Sequence, residues 1–592
     1  MRLAIENIAY NKSIGFIFMI SLFSMLFSCD EKWLEPEPLS FFAPENVYVN
    51  EEGFESLLVT MRRSLKSEYY GFFNYSTAEF APSDLGIAGY VPDFSINTPT
   101  SSDRVPYGKM FNEVYGYIKN ANVLISRIDG VSWEDESVRN RLLAEAYWHR
   151  AYWYYRLVHS YGDVPFIGVE LTGAKLDFNT HSRWAILDKI QEDMEWAVAK
   201  MPLTAAPRIP TKGAGNYLLT KIYLANSEFD KAIASATEVI NGPYALMEDR
   251  FGSMADDSFR NVIWDLHRHE NINLSQNTET ILGLVDRWEA PDGARMNQGL
   301  AGNFMPHYWD VPDESGTRGI VYPSALMDTL MRGQGIITSS NFYQFNLWED
   351  NNYTWDNTPD LRRADINWVE MSEIRYNRPG SPNIEEPIQQ LWPNTSDTTI
   401  RWFSWPHYLT YNPSNQEEST WGGGNGDAYV YRLAGIHLLR AEAYYWKNQL
   451  TEAANDLNVV RARSMAPLIN PADVTIDFIF DERARELYAE ETRHSEMVRV
   501  SNVMASNNLN GYSLDNLSTK SWWYDRVMAY NDIYQTPEGT WWRGQSPKIQ
   551  SFNIYWAIPQ SVITANTQGK INQNEGYQGA ETNVPPLQTI VE

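Results

Sequence analysis

The sequence predicts a mostly α-helical protein: four tetratricopeptide-like helix pairs forming a right-handed superhelical scaffold, with a large irregular, loop-rich subdomain set into it. Three observations predict this. Apolar residues recur at a 3.6-residue period over several long segments. Two of those segments are near copies of one another, each a helix, a tight turn and a second helix. Between the copies lies a long stretch rich in Trp, Asn, Asp, Gly and Pro without sustained periodicity.

The chain begins with a short basic head (Arg2, Lys12) and an apolar run from Ile14 to Phe27. That run is about 14 residues, the size of a signal-peptide core, whereas spanning a bilayer takes roughly 20. Leu26-Phe27-Ser28-Cys29 reads as a bacterial lipobox, and Cys29 is the single cysteine of the chain. Residues 1–28 are therefore expected to be a lipoprotein signal peptide, with Cys29 lipidated and residues 29–50 a tether containing Pro36, Pro38 and Pro44. With no second cysteine, no internal disulfide is expected.

Helical elements follow in order. Val138, Leu142, Leu143, Ala146, Ala151, Tyr154 and Leu157 define a helical face over 138–160, ended by Tyr161-Gly162-Asp163-Val164-Pro165. Trp184, Leu187, Ile190, Met194, Ala197 and Val198 define another over 183–201. Tyr217–Ala225 leads through Asn226-Ser227 into Glu228–Ile240, and His437–Trp446 leads through Lys447-Asn448 into Leu450–Arg463. Aligning the two pairs Tyr223 with Tyr444, Ala232 with Ala453 and Val239 with Val460, with small residues where helices cross. Helices over 109–129 and 475–493 complete a set of about eight in four pairs. Helical repeats thus occupy about 109–244 and 428–493 of a domain spanning 51–592. Loop-rich insertions occupy about 69–107, 245–427 and 502–592, with a short helix near Ser324–Met331.

Acidic residues number 75 against 48 basic, a formal charge of −27 that makes nucleic acid a poor partner. Glu482, Glu486 and Glu490 recur every fourth residue and are expected on one helix face. A glycosidase needs paired carboxylates, one of them with a raised pKa. Here Arg483, Arg485 and Arg493 lie in the same segment, so these glutamates read as a structural ion-pair network. No catalytic residues are assigned. His267 and His269 would share a face of a strand, but no zinc motif accompanies them, so neither a metal nor a cofactor is expected. The Asx cluster Asp350-Asn351-Asn352 and Asp356-Asn357 lacks calcium-loop spacing and reads as turn chemistry. The glycine-rich stretch Trp421–Asp427 lacks the features of a phosphate loop.

Four ordered segments resemble the SusD/RagB-like family of outer-membrane nutrient-binding lipoproteins. They are Leu142–Leu157 with Tyr161–Pro165, Arg432–Ala443, Asp481–Arg493, and the tail Tyr555–Ser561 with Asn566 and Asn572–Tyr577. After Arg493 the family pattern continues with an aromatic residue and Asp, where this chain has His494, Ser495 and Glu496. The resemblance implies four tetratricopeptide-like pairs capped by an irregular subdomain. It implies an outer-membrane location through the lipid anchor, facing the exterior. It also implies a SusC-like TonB-dependent transporter as partner and an oligosaccharide ligand, with a peptide ligand as the alternative and a secreted glycoside hydrolase as a more distant one. Family sites draw on the loop after the first helix and on the long insertion. Within these, Trp and Tyr faces suited to stacking on sugars make Tyr69, Tyr70, Phe73, Trp288, Tyr308, Trp309, Trp348 and Trp355 the candidate ligand contacts. Trp309→Ala is expected to weaken oligosaccharide binding without loss of folding.

Overall fold

The structure, a computed structural model, describes residues 44–71, 74–88, 106–290, 299–322, 324–390, 400–413, 424–535 and 548–592. Cys29, Phe73 and residues 421–423 of the glycine-rich stretch lie outside the described residues. The chain divides into a first unit ending at Phe54 and a second from Glu55 to Glu592. Within the first, Pro44–Val47 form a helical turn where composition predicts tether, and the Tyr48 ring stacks on Phe54 with centroids 5.9 Å apart.

Helices are the main material. The longer ones are α1 (Glu51–Ser64), α2 (Pro106–Arg127), α3 (Glu136–Tyr161), α4 (Arg183–Val198), α5 (Lys212–Ala225) and α6 (Phe229–Ile240), then α7 (Leu433–Trp446), α8 (Leu450–Arg463), α9 (Ile476–Glu486), α10 (Arg493–Ser506) and α11 (Trp522–Tyr530). Neighbours in sequence pack in succession from α2 to α6, and α6 then packs on α7 as though the insertion between them were absent.

The two copies agree in their hydrogen bonds as well as their residues. The α5–α6 turn puts Ser227 at φ +59° and closes with the Glu228 N–H donating to the Tyr223 carbonyl at 2.8 Å. The α7–α8 turn puts Asn448 at φ +57° and closes with the Gln449 N–H donating to the Tyr444 carbonyl at 2.9 Å. A single left-handed residue reverses the chain in both. Ala232 and Ala236 in one pair, and Ala453 and Ala454 in the other, are buried and let the helices approach.

Helix α3 is buried almost all round from Leu142 onward, with Trp148, Trp153, Tyr154 and Tyr155 in the core. It ends at Gly162, where φ is +68° and the Tyr555 ring lies 3.2 Å from where a Cβ would stand. Only glycine meets both demands.

Short antiparallel pairs pin the loops. Strand β1 (Gly86–Ala88) pairs with β5 (Ile337–Ser339), joining the segment after α1 to the insertion. Strand β2 (Val164–Pro165) pairs with β3 (Thr180–His181), and β6 (Trp368–Val369) with β7 (Trp405–Pro406). Strand β4 (Thr280–Leu284) pairs with β8 (Ala428–Arg432), which runs directly into α7 and closes the base of the insertion. The short helix expected near Ser324–Met331 spans Ala325–Leu330, one of several short helices in the insertion.

Two expectations fail here. The helix predicted over 475–493 stops at Glu486. The Arg432 guanidinium caps the Glu486 carbonyl, Tyr488 turns away to stack on Tyr343 (3.8 Å, 10°), and Ala489 adopts φ +60°. Glu490 therefore leaves the face that holds Glu482 and Glu486. The region expected to be loops after 502 contains the end of α10 and all of α11. Its aromatic face, Trp522 and Trp523, packs against Phe480 and the α10 valines, a tertiary contact that a local pattern does not contain.

Candidate ligand-binding face

Five of the predicted contacts serve the core. Tyr69 and Tyr70 are buried and bond the Glu490 carbonyl (3.3 Å) and the Gly426 carbonyl (2.7 Å) through their hydroxyls. Burial raises both phenol pKa values. Tyr308 is fully buried, donates to the Met331 carbonyl at 2.8 Å and stacks on Trp405 with a 13° interplanar angle. Trp348 donates to the Tyr343 carbonyl at 2.8 Å and meets Trp368 edge-on. Trp309 is 5% exposed and donates through Nε1 to the Gly333 carbonyl at 2.8 Å. Rings so placed hold the loops together rather than face a ligand. A buried indole or phenol needs a hydrogen-bond partner, and a layer with little regular secondary structure supplies spare carbonyls. Trp288 and Trp355 are half-buried.

The open ring at this place is Tyr322, which no motif or spacing in the sequence marks. Tyr322 is 38% exposed and lies on Trp309, with centroids 5.2 Å apart and planes inclined 32°. The buried Arg332 guanidinium supports both rings, 4.5 Å from the Trp309 centroid and 4.3 Å from that of Tyr322, and donates to the Tyr322 hydroxyl. Arg318 covers Trp309 from another side at 4.8 Å. Asp310 clamps Arg318 (2.7 Å) and Arg401 (2.6 Å). Burial raises the Asp310 pKa, but these arginines outweigh it and hold the carboxyl low. His307, edge-on to Trp309 at 4.2 Å, is kept neutral by burial, its pKa brought down to about 4. The result is a fixed Trp–Arg floor beneath one accessible aromatic face. A second open area holds Tyr353, 42% exposed, and Trp355, which carries the Arg363 guanidinium at 4.9 Å and Phe345 at 5.3 Å. Phe259 is also largely exposed.

The acidic segment is an ion-pair network. Glu482 binds Arg362 (2.8 Å), Arg461 (2.5 Å) and Arg485 (2.9 Å), and Glu486 binds Arg362, Arg432 and Arg463. Glu490 binds Arg432 at 2.7 Å and His267 at 3.1 Å. Burial alone raises a carboxyl pKa, but the arginines prevail, bringing Glu482 down to about 2 and Glu486 lower still. A group held ionised so firmly is no general acid. Asp84, between Arg493 (2.6 Å) and Arg526 (2.8 Å), is likewise held at about 2.

These values set an acid limit on stability. Carboxyls depressed in the folded state contribute stability above their unfolded pKa values, and that stability disappears as pH falls through the folded ones. Buried His269 and His407, each depressed to about 3 chiefly by burial, act in the same direction from about pH 6.5 downward. The melting temperature is expected to decline below about pH 6.5 and fall steeply between about pH 4.5 and 2, with Glu482 and Asp84 among the groups whose contribution is lost. A melting temperature level from pH 7 to 3 refutes this.

His267 and His269 lie in a turn after the helix Val262–Leu266, not on a strand, and bond Glu490 and the Asp427 carbonyl respectively. Among the described residues no group of three His, Cys, Asp or Glu side chains is placed to hold a metal. Asn351 and Asn352 both have positive φ, and Asp350 pairs with Arg461, so that cluster forms a turn.

The architecture is a helical-repeat scaffold carrying a pinned, aromatic-rich insertion. The chain belongs to the SusD family: the model described as "SusD family" matches residues 291–577, and a second, described as "Starch-binding associating with outer membrane", matches 51–224. Among curated relatives, SusD-like protein P2 of Formosa agariphila is 26% identical over 256 residues, 42% of this chain but only 49% of that protein. SusD-like protein P38 of the same organism is 24% identical over 547 residues, covering 86% of this chain and 96% of the relative. The fold matches surface glycan-binding protein A from Bacteroides thetaiotaomicron in complex with laminarihexaose, with a TM-score of 0.61, 18% identity, and 89% and 99% of the two chains covered.

Proposed function

We propose that this chain is a non-catalytic, nutrient-binding lipoprotein that captures a glycan at the cell surface and delivers it to a SusC-like TonB-dependent transporter. Cys29 carries the lipid that ties it to the outer membrane, facing the exterior. The observation that carries the reading is Tyr322, an accessible ring fixed on the Trp309–Arg332 floor in a chain of this family. A sugar ring offers C–H groups to such a face, and its hydroxyls bond nearby polar side chains. The relative solved with laminarihexaose makes β-glucans the first ligands to try.

Affinity electrophoresis of the mature domain through gels containing laminarin, starch or xylan tests this. Retardation by one of them is expected, with Tyr322→Ala migrating freely at unchanged melting temperature. Loss of one stacking face corresponds to about fivefold to tenfold in affinity. Retardation that persists in Tyr322→Ala moves the site to the Tyr353–Trp355 face. Absence of retardation in every gel sinks the glycan reading and favours a peptide ligand.

A further inference from the structure

A second cleft, outside the insertion, lies at the start of α4. Its volume is about 370 Å³, and it is lined by Arg183, Trp184 and Tyr555, by the carboxylates Asp163 and Glu575, the latter accepting from the Ser518 hydroxyl at 2.7 Å, and by the tail around Asn572–Asn583. The sequence singles out this tail as a motif, and the structure explains its amides. The Asn572 side chain exchanges two hydrogen bonds with the Val584 backbone (2.7 and 3.1 Å), and Asn583 does the same with Gln573 (2.6 and 2.9 Å). Tyr555 is held by its hydroxyl donating to Asn502 at 2.8 Å. The wall is thus rigid.

Arg183 is the anomaly in this wall. It is 3% exposed, yet among the described residues none of its guanidinium nitrogens reaches a hydrogen-bond acceptor. Its one close partner is the face of Trp184, 4.5 Å from the guanidinium carbon. The neighbouring carboxylate, Asp163, accepts the Arg183 backbone N–H at 2.8 Å but no guanidinium hydrogen bond; burial raises its pKa, and the Arg183 charge offsets part of that rise. Ser182 takes the Trp184 N–H at 3.3 Å, so the first free N–H groups of α4 are already occupied while its positive end adds to the field. That field reaches His159 and Tyr555, whose pKa values it lowers against or beside the effect of burial. A buried, ionised guanidinium without acceptors is costly, because the water it gives up is not replaced by protein oxygens. The arginines that bind Glu482 and Glu486 each have a carboxylate within hydrogen-bond reach; the Arg183 guanidinium instead borders a cleft.

We propose that this cleft binds an anionic saccharide unit, its carboxylate or sulfate drawn to the Arg183 fork and its ring against Trp184 and Tyr555. The guanidinium nitrogens lie beneath the cleft surface and no hydrogen bond holds them, so a turn of the last side-chain torsions presents the fork to the ligand. A planar fork matches both carboxylate and sulfate oxygens. The anion preference stands on the cleft alone; the saccharide part rests on the glycan-binding reading.

The test is calorimetric titration of the mature domain at low ionic strength with trigalacturonate, glucose 6-sulfate and neutral maltotriose. Saturable binding of one or both anions is expected, with maltotriose failing to compete. Arg183→Gln lowers that affinity at least about tenfold and Arg183→Lys lowers it less, because the charge survives and the fork does not. Trp184 emission follows the same titration in the native chain, so the result does not depend on either variant folding. In Trp184→Phe the emission change disappears. Binding of trigalacturonate alone identifies a uronate site, and binding of the sulfate alone a sulfate-ester site. No saturable binding of either anion up to about 10 mM overturns the proposal. Equal binding by native protein and a folded Arg183→Gln also overturns it. Tyr322-dependent retardation by neutral glycan is measured on the same preparations: its absence alongside intact anion binding discards the neutral-glycan site while leaving this one.

Discussion

Glu486→Ala is expected to destabilise the protein by roughly 3–5 kcal/mol, the usual cost of breaking a buried ion pair by removing one side. Glu486 is 4% exposed and accepts from Arg362 at 2.9 Å, from Arg432 at 2.5 Å and from Arg463. Its removal leaves three buried guanidinium groups sharing Glu279, Glu482, Asp360 and Glu490. Arg362 belongs to the insertion, whereas Arg463 ends α8, so the loss loosens the seating of the insertion on the repeats. Urea unfolding is the measurement. A midpoint shift equivalent to less than about 1 kcal/mol contradicts the account, because that is the cost of an exposed pair. Glycan affinity of the folded fraction is expected to be unchanged.

Trp309→Ala is expected to cost about 3–5 kcal/mol through the cavity it leaves. It also orphans the Gly333 carbonyl and strips the aromatic face from Arg318 and Arg332. Glycan binding falls with it, since Tyr322 loses its floor. The sequence-based expectation of weaker binding at full stability is thereby replaced: Trp309→Ala lowers both melting temperature and affinity, whereas Tyr322→Ala lowers affinity alone. A Trp309→Ala protein with native melting temperature returns Trp309 to the role of a direct contact.

The helical scaffold was legible because its information is local. Periodic apolar residues define α3 and α4, and the Asn-Ser and Lys-Asn steps that reverse the two repeats supply the residues found at positive φ, Ser227 and Asn448. The end of α9 was not legible. It depends on Arg432, distant in sequence, donating to the Glu486 carbonyl. The candidate site was legible as a region and misread by residue. Density of aromatic residues marked the insertion correctly, but an aromatic ring in a layer without long helices is first of all its core, as Tyr308, Trp309 and Trp348 show. Tyr322 stands out only once its neighbours are known, and nothing in the spacing of Arg183 announces that it lacks an acceptor.

The arrangement of the buried charges has a consequence for how such a protein diversifies. The groups that seat the insertion, Arg362 on Glu482 and Glu486, Asp350 on Arg461, and the β4–β8 pair at its base, are separate from the rings left open at its surface. Exchanging Tyr322, Tyr353 or Phe259 leaves every one of those contacts in place. The outer face is therefore free to drift under selection for a new nutrient while its foundation stays under purifying constraint, so that specificity and foldability are inherited as separate characters.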